Sequence, residues 1–185
     1  MLRHVAWLNK ALVEPSVEGG LRSDDPRVVR RCLAPARELE QLGVECSVFG
    51  HMHDADPAHV CQHLQSLETD IVVIGGLERD SRLKLARAAK HLGCYVVVDL
   101  EDDIAADEVN QLFVLVDQVV TDSEVSAVKL ERLGVSAVII PDCEEPCVDA
   151  RQRRDVAGQW LDCFRQIKMK PPVCANANAP TTARS

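Results

Sequence analysis

No run of apolar residues in this chain approaches the roughly 20 that a membrane-spanning helix requires. The opening Met1-Leu2-Arg3-His4-Val5-Ala6-Trp7 is soon interrupted by Asn9, Lys10 and Glu14. That start lacks the longer apolar stretch and small-residue cleavage site of a signal peptide, so a cytoplasmic protein with reduced thiols is expected. Positive charge is scarce: 21 Lys and Arg against 29 Asp and Glu leave a net charge of −8. Nucleic-acid binding draws on clustered cations, so nucleic acid is not expected as a partner. The small clusters Arg27-Arg30-Arg31 and Arg151-Arg153-Arg154 sit on predicted helices beside acidic residues and read as solvated faces.

Catalytic signatures are lacking as well. There is no P-loop, no GxSxG elbow and no HExxH, and no Ser, His and acid set announces itself. Of the eight cysteines, none forms a CxxC pair. Cys32, Cys46, Cys61, Cys94 and Cys163 fall inside apolar-periodic segments, where a free thiol acts as a small hydrophobe. Cys143 and Cys147 share a Pro-containing loop and make a weak redox or metal pair.

What is present is a regular alternation. Strands are predicted at His4 to Leu8, Val44 to Phe49, Asp70 to Ile74, Cys94 to Leu100, Gln118 to Thr121 and Val135 to Ile140. Runs such as Ile71-Val72-Val73-Ile74 are continuously apolar, the pattern of strands covered on both faces, as in a parallel sheet. Between them lie helix patterns with marked ends. The first starts at Asp24-Asp25-Pro26 and carries Val29, Cys32, Leu33, Ala36, Leu39 and Leu42. The next clear one spans Ser81 to Leu92, and another Ser123 to Leu133, with Val125, Val128 and Leu130 apolar. Leu42-Gly43, Leu92-Gly93 and Leu133-Gly134 each close a helix before a strand, which is the punctuation of βαβ units. The fold expected is α/β: one doubly wound, Rossmann-like, mostly parallel six-stranded sheet with helices on both faces. It occupies residues 1–168, including a C-terminal packing helix over 149–168 with Val156, Trp160, Leu161, Phe164 and Ile167 on one face. Residues 169–185 read as a disordered tail.

Ligands of such sheets bind outside the carboxyl ends of the strands. The loop after the first strand holds Gly19, Gly20 and Arg22, a close backbone approach and an anion contact, or simply a flexible surface loop. Asp99, Glu101, Asp102 and Asp103 follow the fourth strand. Such a cluster suits a divalent cation or sugar hydroxyls, and Asp102 and Asp103 equally suit the start of a helix. Ser123 and Glu124 follow the fifth strand, Ser123 as an N-cap with an anion site as the alternative. His51, His53, Asp54, Asp56, His59 and His63 form a separate cluster with zinc-like chemistry, although histidines in a polar loop are usually only solvated.

The order of several segments resembles the amino-terminal, acceptor-side lobe of two-lobed (type B) glycosyltransferases. The segments are Gly19-Gly20-Leu21-Arg22, Leu39-Glu40-Gln41-Leu42-Gly43-Val44, Asp70-Ile71-Val72-Val73 and Val97-Val98-Asp99-Leu100-Glu101-Asp102-Asp103. They continue through Asp117-Gln118-Val119-Val120-Thr121-Asp122-Ser123-Glu124 and Leu133-Gly134-Val135 to Val138-Ile139-Ile140-Pro141, covering about residues 1 to 145. The resemblance implies a half-domain that binds a sugar, nucleotide, nucleotide-sugar or acceptor ligand at the C-terminal edge of the sheet and lacks the donor-binding lobe. Gly20, Arg22, Asp99 and Ser123 would line the acceptor-side cleft, and a separate donor-lobe subunit would complete the reaction. It also implies that the Trp160 helix crosses back onto the lobe. Either that helix or a homodimer should cover the apolar surface left by a missing lobe. Two alternatives stand beside it: a receiver-like regulatory module with Asp99 in an acidic pocket, and a small metal-dependent enzyme built on the His51–His63 cluster.

Overall fold

The apolar runs become strands, and all six lie parallel. The computed structural model describes residues 2–17, 19–100, 106–112, 114–142 and 150–169. The strands are β1 (His4–Asn9), β2 (Glu45–Phe49), β3 (Ile71–Gly75), β4 (Tyr95–Asp99), β5 (Gln118–Thr121) and β6 (Ala137–Ile139). Their order across the sheet is β2-β1-β3-β4-β5-β6. A two-residue antiparallel ribbon, Glu14–Pro15 with Leu21–Arg22, folds the long loop after β1.

The first connection and the terminal helix cover one face of the sheet, and the other four connections cover the opposite face. Helix α1 is composite, with an α turn Pro26–Val28, a π segment Val29–Leu33 and an α stretch Ala34–Gln41. Pro35 explains the widening. It has no N–H to return to the Arg31 carbonyl, and its ring would crowd that oxygen. The chain takes one extra residue in the turn, and Ala34 N–H bonds back to Val29 O.

On the other face lie α2 (Pro57–Ser66), α3 (Arg79–His91), α4 (Ala106–Leu112) and α5 (Glu124–Arg132). The terminal helix α6 (Ala150–Lys168) returns to the α1 face. There Trp160, Phe164 and Ile167 are fully buried, with Trp7 of β1 at 6.2 Å from Trp160 and 6.1 Å from Phe164, ring centre to ring centre. With α1, this helix covers that face of the sheet.

Two cores result, split by the sheet. Val5, Trp7, Ile71, Val73 and Val97 meet α1 and α6, while Ala6, Leu8, Val72, Ile74, Val96 and Val98 meet the other helices. Alternate strand residues therefore point to opposite helical layers, and both layers are apolar. Among the described residues no helix is long and apolar enough to cross a membrane.

Two expectations are corrected by packing. Val125 and Val128 of α5 are solvent-exposed, and only Leu130 of that helix is buried. Arg31 does not sit on a solvated face with Arg27 and Arg30; it is 2% exposed. The π turn rotates it into the same stripe as Val28 and Cys32. Residues Glu101, Asp102, Asp103, Cys143 and Cys147, and the tail beyond Met169, lie outside the described residues.

Candidate functional site

The strand order reverses between β1 and β3, and the crevice of a doubly wound sheet opens at such a reversal. Three strand ends meet there in register: Asn9 opposite Gly75, and Gly75 opposite Asp99. All three follow the alternation that points Val5, Trp7, Val73 and Val97 toward α1. Above them opens a cleft of about 530 Å³, lined by Asn9, Lys10, Leu12, Arg31, Gly76 and Asp99 among others, with His51 and His53 at its side.

Asp99 is buried and is held from both sides of its carboxylate by Arg31. Nε donates to Oδ2 at 2.9 Å and Nη2 to Oδ1. Arg31 also donates to the Ile140 carbonyl, reaches Asp142 Oδ1 at 3.4 Å, and lies 5.7 Å from the Trp160 ring centre. Burial pushes the Asp99 carboxyl above the ordinary carboxylate range, opposed by the Arg31 guanidinium and aided by Asp142 and Asp122. A fork-to-carboxylate pair of this kind fixes geometry as well as charge. It also answers two expectations about Asp99. Both of its oxygens are engaged by a cation of the protein, so it is neither an open acidic pocket of the receiver kind nor a free ligand for a divalent cation.

Asn9 is 3% exposed. Its Oδ1 accepts from the Cys32 thiol at 3.0 Å, while its Nδ2 has no acceptor among the described residues. An unpaired buried donor costs about 1–3 kcal/mol, so its presence at a cleft calls for a reason. Lys10 lines the cleft as well, and its Nζ donates to Glu78 Oε1 at 2.8 Å.

The loops around the cleft are tied together. A β-carbon at Gly50 would stand 2.5 Å from Ala11 O and 2.6 Å from Val13 N, so only glycine fits where the loops after β1 and β2 touch. His51 N–H donates to Ala11 O at 3.1 Å. His51 itself has φ 55°, a left-handed conformation uncommon outside glycine.

The other predicted site residues are dispersed. Arg22 lines a smaller hollow of about 220 Å³ that shares Ala11, Leu12 and Asp25 with the main cleft, and it pairs with Glu14 at 3.2 Å. Gly19 and Gly20 adopt φ of 92° and 78° and turn the antiparallel ribbon, a local structural role. Ser123 caps α5, its Oγ accepting from Ser126 N–H at 3.3 Å. Glu124 lines a groove beside β6, away from Asp99. The histidines separate: His51 and His53 face the main cleft, while His59 and His63 border an apolar pocket with Phe49, Met52 and Leu64. Among the described residues no three His, Cys, Asp or Glu side chains converge on a metal position. Asp56 of that cluster is spent as the N-cap of α2.

Arg31, Asn9 and Cys32 are the site residues that sequence reasoning missed. The available signal was Pro35 inside a helical pattern, which shifts the helix phase and brings an arginine to the buried side.

No protein-family model matches the sequence, and no curated protein matches it. Among solved structures, the following three align with it at low similarity. HepE of Anabaena, solved in complex with UDP, aligns at 15% identity and a TM-score of 0.48 over 75% of this chain. This chain spans 44% of HepE. A diflavin flavoprotein A3 from Nostoc sp. aligns at 11% identity and a TM-score of 0.41, covering 91% of this chain and 95% of its own. A designed cube-shaped protein cage aligns at 8% identity and a TM-score of 0.36, over 91% of this chain and 74% of that one. Likeness at this depth says nothing about activity.

Proposed function

We propose that this chain is a glycosyltransferase-like domain that binds a sugar or nucleotide-sugar in the cleft between β1 and β3. The observation that carries the proposal is the in-register trio Asn9, Gly75 and Asp99 beneath that cleft. The strand reversal opens the crevice, Gly75 and Gly76 keep its floor free of side chains, and the Arg31–Asp99 pair fixes its back wall. The order of segments shared with the acceptor-side lobe of two-lobed transferases supports the same choice of ligand. Polar groups converging on a concave site are what a hydroxyl-rich ligand needs for orientation.

The test is calorimetric titration with a panel of nucleotides, nucleotide-sugars and free sugars, repeated on Leu12→Trp. Leu12 lines the cleft and is 46% exposed, so an indole there narrows the space without disturbing the core. At least one panel member should bind the natural chain and bind Leu12→Trp about tenfold more weakly. If no panel member binds, or if Leu12→Trp binds as tightly, the proposal fails.

A further inference from the structure

Gly75 and Gly76 line the cleft, and the chain runs on from them through Leu77 and Glu78 into α3, a helix of 13 residues. A helix following a parallel strand presents its first amides at the carboxyl edge of the sheet, where they favour anions. Glu78 holds the capping position but makes no side-chain cap bond. That alone would make no site. The independent observation is Asn9, whose side-chain amide is buried beside Gly75 in the same cleft with no acceptor among the described residues. The Cys32 thiol occupies its oxygen, which leaves the two amide N–H groups as the groups in want of a partner.

Two further features suit an anion here. Gly76 turns at φ +63° with nothing within 4 Å of where a β-carbon would stand, so the backbone approach is open. Lys10, next to Asn9, lines the same cleft, and its ammonium donates to the Glu78 carboxylate at 2.8 Å. Both side chains are largely exposed, so a better-placed anion can replace the carboxylate at little cost. The two acids lining the cleft are already engaged: Asp25 accepts from Arg27 N–H at 2.8 Å and Asp99 is paired with Arg31.

We infer that Asn9, Lys10 and the Gly75–Gly76 turn form a subsite for the phosphoryl group of a phosphorylated ligand, seated at the start of α3. This rests on the cleft being the ligand site and narrows its ligand from any sugar to a phosphorylated one.

The experiment uses the full chain and inorganic pyrophosphate as probe, followed by amide NMR and calorimetry. Pyrophosphate should bind and shift the amides of Gly76 to Ser81 together with the Asn9 side-chain NH2 pair. Lys10→Gln, at an exposed position, should weaken binding several-fold and flatten its salt dependence. Asn9→Asp, which puts a carboxylate against the anion, should reduce binding about tenfold or more. Its melting profile shows whether the fold is intact, and Lys10→Gln decides the matter if it is not. Binding that ignores Lys10→Gln, shifts confined to other regions, or no pyrophosphate binding overturns the inference. The two proposals fail separately. Equal affinity for a nucleoside and its diphosphate, with Leu12→Trp still harmful, removes the phosphoryl subsite and keeps the cleft. Pyrophosphate binding that depends on Lys10, with no nucleotide or sugar bound, does the reverse.

Discussion

At the scale of single residues, the pair that matters most is Arg31 with Asp99, both almost wholly buried. Removing one partner of such a pair leaves an uncompensated charge in the interior. Arg31→Met should therefore cost about 3–5 kcal/mol in urea unfolding, and Asp99→Asn a similar amount. The double variant should recover part of the loss, because neither orphan charge remains. Burial governs the thiols in the same way. It pushes Cys94 up to about 11 and Cys46 up to about 12, so both should resist a disulfide-exchange reagent at pH 8 until the protein unfolds. Asp99 was legible as a site residue from its place at a strand end. Arg31 was not, since a helix wheel of regular pitch puts it among Arg27 and Arg30.

The elements themselves were largely legible, because glycine-closed helices and unbroken β-branched runs are local signals. All six strands stand where the apolar runs place them, to within a residue or two at either end. Pairing order and the outer faces of helices depend on distant segments. Val125 and Val128 keep helical spacing yet face water, because α5 meets the sheet chiefly through Leu130. The terminal helix shows the opposite case, with Val156, Trp160, Phe164 and Ile167 of its apolar stripe buried. Trp160→Ala should destabilise by about 3–5 kcal/mol in denaturant titration, the usual cost of emptying a large buried aromatic site. The loss should exceed that of Val156→Ala. With only two tryptophans in the chain, both buried, the natural protein should emit as shielded indole and shift to the red on unfolding.

For the molecule as a whole, acidity should act in two stages. His4 is buried between Thr69 and Ser47, each 3.0 Å from a ring nitrogen, and burial lowers its pKa from 6.5 against the pull of Glu45 and Asp70. The folded state then binds fewer protons than the unfolded chain just below pH 6.5, so stability falls as pH drops through that value. Asp70 feels an upward push from burial, but Lys168 and the amides of Arg3 and His4 outweigh it and hold its carboxyl below 3.8. Its contribution is complete above that value and is lost as pH falls further. Melting temperature against pH should show a decline beginning near 6.5 and a second below about 4. His4→Gln should remove the first decline and leave the second.

Gly50 carries a consequence for engineering. Since a β-carbon there would strike the backbone at Ala11 and Val13, two stretches far apart in sequence share one lip of the cleft. A peptide grafted between Leu12 and Val13 would thus displace the histidine-bearing turn opposite, and Gly50→Ala would do so from the other side. Diversity is better introduced on the antiparallel ribbon near Val17, which is fully exposed and touches neither.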